Sequence, residues 1–207
     1  MKSKDAVIVI LSLLALALVA KPQVEQWLGD ELRKEGAMET LAQGQGVHAL
    51  SGDPVERDLL DTIMKAGLAA YSVRQKRPCS LLVTQERQKI DQLGKVLGSD
   101  EAILLQNAAA IIVVTALPKR GAGGENGSWP LDCAASTQAM VYAAAAQKLG
   151  ASVIPLWPDQ ELVGSVSELF ELPAMATPFS LLAVGGLLQK DQIREDLDLG
   201  RIHWNIW

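Results

Sequence analysis

AAIIVVTA, residues 109 to 116, carries no charge and is apolar at successive positions. A strand of that kind must be covered on both faces, so the run predicts the centre of a sheet. The segments around it alternate in kind. Upstream, Ser80 to Thr84 predicts a short strand and Gln85 to Leu97 an amphipathic helix. Downstream, Pro130 to Leu149 predicts a long helix stopped by Gly150, with an AAAAQ run that lets other backbones approach closely. Ser152 to Leu156, Gln160 to Leu169 and Phe179 to Val184 then predict strand, helix and strand, before a polar tail ending in RIHWNIW. Strands alternating with helices place the chain in the α/β or α+β class around one sheet. Before the first strand, Asp53-Pro54-Val55-Glu56 has the pattern of a helix start, with Asp53 as cap, Pro54 at the first helical position and Glu56 placed to cap back. Leu59, Leu60, Ile63 and Met64 share one face of that helix, and Gly67 is placed to end it.

Composition narrows the function. The chain has 207 residues, 49% hydrophobic and 21% charged, enough for one domain with a core. Its net charge of -5 argues against general nucleic-acid binding, which requires basic surface. His48 and His203 are far apart and no C-x-x-C occurs, so no metal-ligand set is visible. No nucleophile elbow or phosphate loop is present, and GAGGENGS reads as a turn-rich connector. Cys79 and Cys133 permit a disulfide without building a framework, and buried free thiols are the favoured reading.

At the N-terminus, MKSKD precedes AVIVILSLLALALVA, fifteen residues without charge, then Lys21-Pro22. As a helix this run is ~22 Å long, short of the roughly 30 Å hydrocarbon core unless Lys21 snorkels. An uncleaved hydrophobic anchor helix is favoured over a cleaved signal peptide, because Leu18-Val19-Ala20 puts a bulky Leu where export sites carry small residues. The expected organisation is a membrane segment and linker over 1–26, then a domain over 27–207. Lys2 and Lys4 hold the N-terminus inside, which puts the domain on the periplasmic or extracellular side. Cleavage would give an exported soluble form.

The stretch YSVRQKRPC, residues 71 to 79, concentrates three cations immediately before a strand. Its frame resembles the Pro-Ser-Ala-x-Asn-x-Gln-Pro-Trp motif of the nitroreductase family of FMN-dependent oxidoreductases. Ser72 and Pro78 match and Gln75 stands for Asn, while Cys79 replaces the Trp. LLQNAAAIIVVTA resembles the family's central strand phrase, with Ala109 where proline is usual. WPLDCAASTQAMVYAAAAQKLGASVIPLW resembles its core helix, with Asp132, Gln138 and Gly150 in the expected places. ELPAMATPFSLLAVGGLLQ resembles its last strand, and RIHWNIW its closing phrase. The chain departs from the family in two places. GQGVHALSGDP lacks the Arg-x-Ser-x-Arg phrase, and Trp157-Pro158 stands where Glu-Gly is common.

The resemblance implies an α+β fold with a mixed central sheet flanked by helices, a homodimer, and FMN at the dimer interface. It points to Ser72, Arg74, Gln75 and Arg77 as flavin contacts, with Pro155 and Leu156 beside the ring and Arg201 or Arg194 on the phosphate. Arginine forks suit a phosphate dianion, although these cations also read as solvated loop charges. Two functions follow. One is a membrane-tethered oxidoreductase that uses FMN to reduce a nitro or quinone substrate, fed by a redox partner protein if the domain faces outside. The other is a flavin-free structural or interaction subunit of a membrane complex.

Overall fold

In the computed structural model of the chain, residues 36–37, 39–41, 49–188 and 199–206 are described. Two compact units are distinguished, Met1–Leu41 and Ala42–Trp207. In the first, Gly36, Ala37 and Glu39 to Leu41 are helical. The hydrophobic N-terminal helix, His48, Arg194 and the boundary at residue 26 lie outside the described residues. Among the described residues, no helix is long and apolar enough to cross a membrane.

Within the second unit, β1 (Cys79–Thr84), β2 (Ala110–Ala116), β3 (Leu149–Pro155) and β4 (Thr177–Gly186) form one sheet in the order β1-β2-β4-β3. Every pairing is antiparallel, which corrects the expected mixed sheet. Strand β2 is central and buried along its whole length. Successive side chains alternate faces, so the strand serves two cores. Ala110, Ile112 and Val114 face α1 (Arg57–Ala69) and α4 (Trp129–Ala146), together with Leu60, Ile63, Met140 and Leu182. Ile111 and Val113 face the opposite way, joining α2 (Arg87–Leu97), α3 (Ser99–Gln106) and α5 (Gln160–Leu169) through Ile90, Leu93, Leu105, Val166 and Leu181.

Register is broken once. Val114 pairs with Ser180 but Thr115 pairs with Pro178, leaving Phe179 as an extra residue in β4. At this bulge Phe179 and Ser180 turn to the same side. Phe179 packs on the α4-side core, and the hydroxyls of Ser180 and Thr137, on α4, lie 2.9 Å apart.

The helix ends show where local rules yielded to tertiary contacts. Asp53 does not cap α1; its carboxylate accepts the Ser51 hydroxyl at 2.6 Å, and the helix starts four residues later. Gly67 lies buried inside α1, where a side chain would collide with Met140. Helix α4 ends at Ala146, the turn into β3 is made by Lys148 at φ 59°, and Gly150 is already a strand residue paired with Gly185. Helix α3 was not expected from the sequence. Its end is held by Arg87, whose guanidinium donates to the carbonyls of Leu105 at 2.8 Å and of Gln106 and Ala108 at 3.2 Å, giving the last carbonyls a cationic partner. Helix α5 follows prediction, and Asp159 accepts the amides of Glu161 and Leu162 at 2.9 and 3.1 Å.

Candidate functional site

The segment Ser72 to Pro78 forms a tight loop between α1 and β1, with a 3-10 turn over Val73–Gln75. Arg74, Gln75 and Arg77 have φ of 51°, 55° and 47°. L-residues pay about 1–2 kcal/mol for that left-handed geometry, so the loop requires fixed partners. Ser72 supplies one, its hydroxyl accepting the Arg77 amide at 2.8 Å. Asp132 supplies the other. From the first turn of α4 its Oδ1 accepts the Val73 amide at 2.7 Å, and the carboxylate is buried. The downstream end is tied by Pro78, whose carbonyl accepts the Leu117 amide at 2.8 Å.

With its backbone held this way, the loop exposes Arg74, Gln75, Lys76 and Arg77. Among the described residues, none of the three cations has an ion-pair partner. The structure therefore brings Ser72, Arg74, Gln75 and Arg77 together, with Ser72 acting inside the loop as a brace.

Pro155 and Leu156 lie at the end of β3. Pro155 is exposed, whereas Leu156 is buried in the core on the α5 side. The amides of Leu156 and Trp157 both donate to the bulged Phe179 carbonyl at 3.0 Å, and Pro158, joined to Trp157 by a cis bond, has no N–H. What this segment presents is aromatic surface. Trp157 stacks on Phe179 with centroids 6.4 Å apart, and Trp129 meets both edge-on at 5.4 and 6.2 Å. A cavity of about 790 Å³ opens against Trp129 and Trp157, lined also by Arg120, Gln160 and Met175. Arg201 sits in a separate exposed 3-10 turn, Leu199–Arg201, near the C-terminus.

The first turns of α4 join the two candidate segments. Asp132 holds the cationic loop, Trp129 touches the aromatic one, and Cys133 comes within 2.9 Å of Cys79, sulfur to sulfur. The Cys133 thiol is pushed far above its ordinary range by its contact with Cys79, by burial and by the nearby Asp132 charge, so it stays protonated. The sequence matches Asp132 only to the family's core helix phrase and Phe179 only to the start of a strand. A lone acid in the otherwise apolar WPLDCAAS was the available signal.

No family model matches the chain. A Methanothermobacter thermautotrophicus protein, provisionally named NADH dehydrogenase/NAD(P)H nitroreductase, is 24% identical over 180 residues, covering 86% of this chain and 91% of its own. The crystal structure of a protein with the same provisional name from Parabacteroides distasonis superposes with a TM-score of 0.75 at 27% identity, over 83% of this chain and 98% of that one. The chain has the nitroreductase fold. The FMN-dependent nitroreductase of Clostridium difficile R20291 shares that fold with a TM-score of 0.72 at 21% identity, over 82% and 99% of the two chains. On the nitroreductase fold the cationic loop and the aromatic segment are thus two surfaces organised by a single helix start.

Proposed function

We propose that the protein is an FMN-dependent oxidoreductase acting on a small nitro or quinone electrophile. The observation that carries this reading is the Ser72–Arg77 loop. Its left-handed backbone, held by Ser72 and Asp132, keeps three cations exposed beside a helix start. That donor set fits a phosphate dianion, which arginine forks bind bidentately. FMN, when bound, supplies the hydride chemistry. Arg74 and Arg77 would neutralise the phosphate, Gln75 would offer an amide to the ribityl or ring edge, and Arg201 would add a further cation. The Trp129 and Trp157 rings supply apolar area on which a planar group can lie, and the cavity they line gives room for an electrophile.

The reading extends to a homodimer with the flavin at its interface, tethered by residues 6 to 20 with the domain on the outer side of the membrane. An outside domain has no cytoplasmic nicotinamide pool, so a redox partner protein would be its donor. Fractionation of cells expressing the full chain, with and without residues 6 to 20, tests the tether: equal partition of both forms into the soluble fraction overturns it.

Flavin binding is tested by the visible spectrum of the purified protein. Flavin absorption, release of FMN on denaturation and a rise in Tm with added FMN are expected. Arg74→Ala with Arg77→Ala should weaken FMN retention at least tenfold at unchanged Tm of the apo form. A colourless protein whose Tm ignores FMN sinks the reading and leaves the flavin-free interaction subunit.

A further inference from the structure

We propose that Cys79 and Cys133 are a reversible dithiol–disulfide pair whose oxidised form staples the cationic loop to helix α4. The sulfurs lie 2.9 Å apart in a partly buried contact. A bonded pair needs about 2.05 Å, so ~0.9 Å of further approach suffices. The chain contains no other cysteine, so an intramolecular bond can join only these two.

Their positions give the bond a specific effect. Cys79 opens β1 immediately after the loop, and Cys133 follows Asp132, which already holds the loop's other end through Val73. Oxidation therefore turns a loop anchored by hydrogen bonds into one closed covalently on the same helical turn. The two thiols also divide the chemistry. Cys79 is half-buried and reachable, whereas Cys133 is fully buried.

The oxidant is a small-molecule disulfide. Cys79 sulfur, as thiolate, attacks one sulfur of the oxidant, forming a mixed disulfide and expelling one thiolate. Cys133 then loses its proton to solvent and attacks the Cys79 sulfur, closing the intramolecular bond and expelling the second thiolate. Two protein thiols are oxidised and one external disulfide is reduced to two thiols. Because the attacking species is the Cys133 thiolate, the closing step speeds up as pH rises. The proposal is independent of flavin binding.

The test uses the native full chain treated with oxidised glutathione, then denatured in N-ethylmaleimide and weighed intact. The expected product takes no maleimide, is lighter by two hydrogens than the reduced chain, runs as a monomer without reductant, and yields a Cys79–Cys133 peptide that dithiothreitol cleaves. Full labelling of both cysteines, a glutathione adduct persisting on Cys79, or a bond only between chains overturns the pair. Hydrogen exchange at Val73 to Arg77 reads the clamp separately. It should slow at least fivefold on oxidation in the wild type and stay unchanged in Cys79→Ser under the same oxidant; equal exchange in both overturns the stapling.

Discussion

The Asp132 carboxylate accepts the backbone amide of Val73 at 2.7 Å across 59 residues of sequence. Its second oxygen, Oδ2, is buried and has no hydrogen-bond partner among the described residues, as is the Ser136 hydroxyl one turn along α4. A buried amide that loses its acceptor costs about 1–3 kcal/mol. Asp132→Ala should therefore lower stability by about that amount in chemical denaturation and speed exchange of the Val73 amide. Asp132→Asn, which keeps an acceptor oxygen, should recover most of the loss; an alanine variant as stable as wild type would mean the contact does not hold the loop.

Gly67 marks the closest approach of α1 to α4. A Cβ there would sit 2.7 Å from Met140 Cγ and 3.1 Å from Ser136 Oγ, and Met140 is fully buried. Replacing Gly by Ala in an ordinary helix gains about 1 kcal/mol, but forced overpacking costs about 1–3 kcal/mol. Gly67→Ala should be net destabilising. In Met140→Ala the same substitution should become neutral or favourable, a coupling that a double-mutant cycle measures directly.

Arg87 gathers three carbonyls at the end of α3 and pairs with Asp91 at 2.9 Å. The carbonyl bonds are the larger part, since exposed ion pairs contribute roughly 0–1 kcal/mol. Arg87→Ala should cost about 1–2 kcal/mol, and Asp91→Ala under ~0.5 kcal/mol. Comparable losses from the two would assign the stabilisation to the ion pair instead.

Cys133 links stability to pH. The folded chain keeps its thiol proton well above the ordinary value of 9.0, whereas the unfolded chain releases it near that value. The folded state then binds more protons, and stability falls as pH rises through the thiol range, by up to ~1.4 kcal/mol per unit for one group. Denaturation from about pH 7 to about pH 10 under reducing conditions should show this decline, reduced in Cys133→Ala. Equal slopes in the two proteins would locate the dependence elsewhere.

The legible parts of the fold were those whose signal is local. AAIIVVTA could only be covered on both faces, and the Asp159 cap announces α5 from one residue. Helix α3 escaped because SDEAILLQ concentrates no apolar face, and its stop is built by an arginine from another helix. Strand direction escaped as well: an alternating order of helices and strands does not state whether each crossover reverses the chain. Within the site, the clustering of Ser72, Arg74, Gln75 and Arg77 followed from their adjacency. The loop-holding role of Asp132 was not readable, because its partner is a main-chain amide that no side-chain motif advertises.

The extra residue at Phe179 also sets the phase of the chain that follows. Beyond it, Leu182 and Val184 fall to the α4 side, and Leu181 and Ala183 to the other. Pairing Phe179 as an ordinary ladder residue would shift the count by one and exchange the two sets, turning Ser180 to the opposite layer. The bulge is thus the place in β4 where one residue can be lost with the pairing on both sides kept, since Thr115 and Val114 already face Pro178 and Ser180. The carbonyl that binds Leu156 and Trp157 comes from the residue that keeps this count.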